Sequence, residues 1–180
     1  MQKKPDIIID FTNRNFNANK LAREILDNRS ESELISFAID KDPLISNRAM
    51  WVVTHCADID PSRIKPFYVK LINHLKFKEI PSGNVRSILR IFQNQPVPKK
   101  FESFVLDKCF EYLQNPSEAI AVRVFAMTVA FNISISYPEL LNELLAVLSH
   151  LRSFDESAGI KSRSRKILKD IDKLKSKKLK

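Results

Sequence analysis

Three side chains at helical spacing could bind a ligand. Arg48, Trp51 and His55 lie three and four positions apart, so a helix would bring them onto one face. A guanidinium, an indole and an imidazole side by side could stack on a nucleobase. Trp51, the only tryptophan, also occupies a repeat position that is aliphatic in the other copies described below. We therefore expect Trp51 to pack in the core, and we keep Trp51 and His55 as a weaker ligand-binding hypothesis.

The histidines and cysteines, which are common metal ligands and nucleophiles, are dispersed along the chain. His55, His74 and His150 belong to separate predicted helices, and Cys56 lies about 100° around a helix from His55. We therefore predict no metal site, and we expect Cys109 to be a buried thiol. Two cysteines are too few for a disulfide framework, which indicates a reducing compartment.

Catalytic motifs built on glycine are excluded, because Gly83 and Gly159 are the only glycines. Walker loops, dinucleotide-binding fingerprints and nucleophile elbows all need several glycines at fixed spacing. Glu139, Glu143 and His150 could share a helix face, but a solvated acidic face at the start of a helix explains both glutamates. We predict no catalytic residue and no cofactor, and the sequence favours a protein without enzymatic activity.

The net charge of +9 is concentrated at the C-terminus. Residues 161–180 contain ten Lys or Arg and two Asp, whereas residues 1–160 contain twenty basic and nineteen acidic side chains. An apolar stripe is formed by Ile160, Ile167, Ile171 and Leu174, which predicts a docked helix with a cationic outer face. Its contacts to an anionic partner would come from Lys161, Arg163, Lys166, Lys169 and Lys173. Such a face suits either a solubilising end cap or contact with nucleic acid, an anionic membrane or an acidic protein.

Helix starts are marked by a capping residue followed by proline, as at Asp42, Asp60 and Asn115. Apolar residues three or four positions apart complete the pattern. We predict helices over residues 18–28, 31–41, 43–57, 62–77, 83–94, 99–114, 117–133, 138–151 and 157–175.

The domain organisation predicted from this pattern is simple. Residues 1–17 should be an extended or loosely ordered lead-in, residues 18–175 a single domain, and residues 176–180 a frayed basic tail. The longest dense apolar window, residues 119–133, is shorter than the ~20 residues that cross a bilayer. With no signal-peptide pattern at the N-terminus, we expect a cytoplasmic protein without a transmembrane segment.

An arginine recurs once in each pair of predicted helices. Arg48, Arg86, Arg123 and Arg165 are 38, 37 and 42 residues apart, and the second and third residues after each are apolar. A period near 40 residues, built of helix pairs, is typical of an all-α solenoid.

Two of these copies resemble the HEAT repeat family and its armadillo relatives. They are "LISFAIDKDPLISNRAMWVV", residues 34–53, and "YLQNPSEAIAVRVFAMTVA", residues 112–130. The second and fourth copies lack an acidic residue followed by proline at the expected turn, although the second, "KEIPSGNVR", supplies a proline and a serine there. The resemblance covers residues 31–173. It implies a right-handed α-α superhelix of about four helix pairs and roughly nine helices.

The resemblance also implies roles for particular residues. The four aligned arginines would join a ladder of hydrogen bonds between repeats, with Asp42 and Asn115 among their partners. A family member of this kind would be a non-enzymatic scaffold that binds another macromolecule, with a protein the favoured partner, on the surface formed by the second helices.

Two alternatives belong to other functional classes. One is a nucleic-acid-binding protein similar to the HEAT-like glycosylases that repair alkylated bases, although the near-neutral charge of residues 1–160 and the single tryptophan fit such a protein poorly. Nucleic acid could also be bound through the basic C-terminal helix. The other is a small-molecule pocket between helices, as in HEAT-like lyases of pigment attachment.

Overall fold

A computed structural model describes residues 11–155 and 157–178, and the regular elements within those ranges are all helical. The chain divides into two compact units, one ending at Ile91 and the other beginning at Phe92. The first unit contains α1 (Ala18–Asn28), α2 (Glu31–Ala38), α3 (Pro43–Ile59), α4 (Pro61–Ile64), a 3-10 turn (Lys65–Phe67), α5 (Tyr68–His74) and most of α6 (Ser82–Asn94). The second contains a 3-10 turn (Lys99–Phe101), α7 (Glu102–Gln114), α8 (Ile120–Ser134), α9 (Pro138–Phe154) and α10 (Ala158–Lys178).

The predicted capping residues begin two of these helices. Asp42 accepts hydrogen bonds from the backbone N–H groups of Leu44 and Ile45, at 2.8 and 3.3 Å, and Pro43 is the first residue of α3. Asp60 caps α4 in the same way. These side chains satisfy N–H groups that have no partner inside the helix, which fixes where each helix starts.

The predicted helix over residues 62–77 is interrupted. A short α4 is followed by a 3-10 turn at Lys65–Phe67 before α5 begins at Tyr68. Pro66 lies in that turn, and proline cannot donate the backbone hydrogen bond that a continuous α-helix requires.

The core of the first unit forms where α1 and α2 pack against α3. Leu34, Ile35, Met50 and Val53 are completely buried there. Phe11 is also fully buried, with its ring centroid 5.6 Å from that of Phe37. The loosely ordered lead-in predicted for residues 1–17 therefore does not describe Phe11, while residues 1–10 lie outside the described part of the chain.

In the second unit, α7 packs against α8, and α10 packs against both α8 and α9. Cys109 and Ala126 are fully buried in this core, as expected for Cys109. Helix α10 continues to Lys178, so the predicted fraying at Ser176 does not describe residues 176–178. Residues 179 and 180 lie outside the described part.

Candidate functional site

Trp51 lies on the surface, and the expectation that it packs in the core is wrong. Its side chain is 47% exposed, whereas Leu89 and Ala126, at the equivalent repeat positions, are fully buried. Met50 and Val53 already fill the core-facing side of α3, and Trp51 projects about 100° away from Met50. The aligned arginines thus mark the same sequence position on each helix but not the same helix face.

Trp51 belongs to a surface cluster with two other rings and a guanidinium, which we call the Trp51 cluster: Phe16, Arg48, Trp51 and His55. The ring centroid of Trp51 lies 5.8 Å from that of Phe16 and 5.9 Å from that of His55. The guanidinium of Arg48 lies 5.1 Å from the centroid of Phe16, within the range of a cation–π contact. Arg48, Trp51 and His55 therefore lie together on one surface of α3. Phe16, which the sequence pattern did not indicate, packs beside them.

Arg48 fixes the segment that carries Phe16. Its Nη1 donates hydrogen bonds to the carbonyl oxygens of Phe11 and Asn13, at 2.7 and 3.0 Å. Asp42, the partner that the family resemblance implied, instead caps α3. Arg48 therefore holds the chain before α1 against α3.

Helix α6 lies beside α3 and extends this surface. A Cβ atom added at Gly83 would lie only 2.5 Å from Oδ1 of Asn47, which shows how closely the start of α6 approaches α3. Further along both helices, Nη2 of Arg90 donates to Oδ2 of Asp58 at 2.6 Å. We refer to the Trp51 cluster together with the exposed residues of α3 and α6 as the α3–α6 face.

His55 is held neutral on this face. Partial burial lowers the pKa of its imidazole, and the nearby positive charge of Arg90 lowers it further, while Asp58 opposes the shift. A neutral imidazole beside Trp51 presents a flat ring without a net charge at physiological pH. Within the Trp51 cluster the positive charge therefore comes from Arg48 and not from His55.

Arg123 lies in a different environment, buried in the second unit. Its Nη1 is 2.8 Å from Oδ2 of Asp155, and its Nη2 donates to the carbonyl oxygen of Leu113 at 3.3 Å. Asn115 accepts a hydrogen bond from the backbone of Ser117 instead. The guanidinium therefore caps the end of α7 and pairs with Asp155, a partner that the sequence did not indicate.

The other two aligned arginines, Arg86 and Arg165, are exposed. The four predicted ladder arginines thus occupy different environments. Other polar contacts connect positions 32 to 37 residues apart, close to one repeat. They join Arg63 to the Leu26 carbonyl, Arg90 to Asp58, Tyr137 to Glu102 and Arg163 to Thr128. A search of the sequence for polar pairs separated by one repeat could have found them.

The predicted basic contacts on α10 fall into two groups. Arg163 is partly buried and donates from Nη1 to the hydroxyl of Thr128 at 2.6 Å, and Lys161 is half-buried. Lys166, Lys169 and Lys173 are exposed. The first two therefore contribute less to the outer surface than the sequence indicated.

The described residues show no metal cluster and no activated thiol. Within residues 11–155 and 157–178, no group of three or more His, Cys, Asp and Glu side chains is placed to hold a metal ion. Both cysteines are buried. Burial raises the pKa of Cys56 to about 12 and that of Cys109 further still, so both thiols stay protonated and unreactive.

No helix in the described part of the chain combines the length and apolar character needed to span a bilayer.

Comparison with protein families matches residues 11–171 to the HEAT repeat domain. The match begins at the buried Phe11 and ends at Ile171 in α10, and it includes the α3–α6 face. No curated protein and no solved structure matches the chain.

Proposed function

Because the chain belongs to the HEAT repeat family, we propose that it is a non-enzymatic scaffold that binds a protein partner on its α3–α6 face. The observation that carries the proposal is the exposed Trp51, surrounded by Phe16, Arg48 and His55. Tryptophan and arginine are enriched among the residues that dominate binding energy at protein interfaces. A tryptophan left 47% exposed on the second helix of a repeat fits that role.

The apolar surface on α3 extends beyond the Trp51 cluster. Leu44 is 50% exposed and Ile59 is 43% exposed. With Arg48, Trp51 and His55 they are spaced three or four residues apart and so share one side of α3. The row is about 22 Å long at 1.5 Å per residue, which is long enough to contact several turns of a partner helix or an extended segment.

The charges on this face favour a protein over a nucleic acid. Arg48 is committed to two backbone carbonyls, and Arg90 is paired with Asp58. Arg86, exposed on α6, adds one further cation, and this small number of cations is fewer than the several phosphate contacts that drive nucleic-acid binding. Apolar and aromatic anchors within a polar rim are instead typical of protein interfaces.

Site-directed photo-crosslinking in cells tests the proposal. A photoreactive amino acid replaces Leu44, about two turns before Trp51 on the same side of α3, and the Trp51→Ala change is added in a second variant. We expect a defined crosslinked protein with the first variant and at least a tenfold weaker crosslink with the second, since truncating a tryptophan that dominates an interface costs about 2 kcal/mol of binding free energy.

A matched control separates the α3–α6 face from exposed apolar surface in general. Phe77 is 66% exposed and lies in the loop between α5 and α6, so the same photoreactive residue at position 77 should not capture the same protein. Far-UV circular dichroism checks that Trp51→Ala stays folded. The proposal fails if the crosslinked protein is retained with Trp51→Ala, or if position 44 captures only nucleic acid.

A further inference from the structure

Helix α10 is docked through one side only. Ile160, Ser164, Ile167 and Ile171 are all buried, with at most 3% of each side chain exposed. They recur every three or four residues and therefore form one stripe along the helix. The apolar side of α10 is therefore buried against other helices of the second unit.

The opposite side of α10 is almost purely cationic. At about 100° of rotation per residue, Arg165, Lys166, Lys169 and Lys173 all lie within roughly 50° of the line opposite the buried stripe. All four are exposed. Between Ser162 and Ser176 this side carries no carboxylate and no apolar side chain, and we call it the α10 outer face.

The acidic residues of α10, Asp170 and the exposed Asp172, lie at the flanks of this face, about 90° and 70° from its centre line. Asp170 contacts Lys173, with its Oδ1 3.3 Å from the lysine Nζ, and the two side chains are 37% and 62% exposed. A solvent-exposed pair at this distance is weak, so Lys173 keeps most of its attraction for an anion. Arg165, Lys166 and Lys169 supply the remaining charge.

We propose that the α10 outer face binds the phosphate backbone of a nucleic acid. Lysine, arginine and hydroxyl side chains are the groups that contact phosphate oxygens. The face has no aromatic side chain for stacking and no amide or carboxylate for reading adenine or cytosine, so its binding should depend little on sequence.

The packing of α10 also favours a nucleic acid over two other anionic partners, a membrane and an acidic protein. A helix that adsorbs to a membrane inserts its apolar side into the lipid, and here that side is buried by the protein. A protein interface needs aromatic or aliphatic anchors at its centre, and the α10 outer face has none. Regularly spaced phosphates require only cations and hydroxyl groups, which are what this face provides.

The experiment measures binding of the full chain to a fluorescein-labelled 20-nucleotide single strand and a 20-base-pair duplex by fluorescence anisotropy. Four phosphate contacts predict that affinity for the duplex falls by roughly a hundredfold between 50 and 200 mM salt. The variant Arg165→Gln, Lys166→Gln, Lys169→Gln and Lys173→Gln should lose at least tenfold in affinity at 50 mM salt and most of that salt dependence. Sequences of different composition should bind alike.

The matched control removes the same number of charges elsewhere. Lys41, Lys65, Lys70 and Lys100 are exposed, and their replacement by Gln gives the same net charge as the α10 variant. This control should bind within about threefold of the unmodified chain. Equal weakening of the two variants would overturn the proposal, because binding would then follow net charge alone.

Two further ligands complete the test. Vesicles containing 30% phosphatidylserine and polyglutamate of matched charge are titrated under the same conditions, and both should bind at least tenfold more weakly than the nucleic acids. Equal or tighter binding of the vesicles would assign the face to membranes instead. Equal binding of polyglutamate would show that the face does not favour nucleic acid over an acidic protein.

Discussion

At the scale of single residues, the same residue type serves different purposes in successive repeats. Arg48 binds the carbonyls of Phe11 and Asn13 at the surface, whereas Arg123 is buried and paired with Asp155. A buried guanidinium is stabilising only while its partners are present, since removing one leaves an uncompensated charge away from water. Arg123 is therefore the aligned arginine on which stability depends most.

Replacing Arg123 by Met should lower the free energy of unfolding by about 3 kcal/mol, because Asp155 would then be a largely buried carboxylate without its partner. The double variant Arg123→Met, Asp155→Asn should lose clearly less, since no charge is left unpaired. Urea unfolding at pH 7, followed by far-UV circular dichroism, measures both. Equal losses in the two variants would show that the ion pair is not the source of the effect.

At the scale of helices, the sequence predicted well where the helices lie along the chain, but predicted poorly which side of each helix is buried. Capping residues such as Asp42 and Asp60 determine where a helix begins through contacts within a few residues, so a local pattern reveals them. Whether Trp51 points inward depends on how α3 packs against α1 and α2, which lie earlier in the chain. The partner of Arg63 is likewise distant in sequence, since it is the carbonyl of Leu26, 37 residues earlier. The aligned arginines preserve the repeat spacing without fixing which face of each helix is buried.

The close approach of α6 to α3 gives a prediction at this scale. Gly83→Ala places a Cβ against Oδ1 of Asn47, a buried atom without a hydrogen-bond partner among the described residues. In the unmodified background the change should be neutral or destabilising, because the Asn47 amide must move. In an Asn47→Ala background it should stabilise by about 0.5 kcal/mol through the higher helix propensity of alanine.

A double-mutant cycle of the four proteins, measured by thermal and urea unfolding, gives the coupling between positions 47 and 83. We expect a coupling of at least about 0.5 kcal/mol, as is common for residues in contact. Additive effects within about 0.3 kcal/mol would mean that α6 adjusts without Asn47.

At the scale of the whole molecule, the excess positive charge and the exposed tryptophan are separated along the chain. The second unit before residue 161 contains five basic and eight acidic residues, so its positive charge belongs almost entirely to α10. The exposed tryptophan lies in the first unit. A protein partner and a nucleic acid would thus use different parts of the sequence, and variants of one should leave the other unaffected.

The division of the chain into two units allows the cooperativity of unfolding to be measured. Trp51 is the only tryptophan, so its fluorescence reports on the first unit, whereas circular dichroism reports on all helices. Because α6 begins before the boundary at Ile91 and ends after it, and adjoining repeats are generally coupled, we expect the two probes to give one urea midpoint. Arg123→Met should shift both. A fluorescence midpoint that stays unchanged while the circular dichroism transition moves or splits would show that the units unfold independently.

The residues before α1 pack against α3, and this limits how far the chain can be shortened without changing its surface. Phe11 and Phe16 precede α1, yet Phe11 is buried and Phe16 packs on Trp51. A shortened chain starting at Ala18 would keep every helix from α1 onward and still lose two acceptors for Arg48 and one ring of the Trp51 cluster. The first repeat is therefore not an interchangeable module, and a graft of α1 to α3 onto another helical array must include residues 11–17 to carry the surface with it.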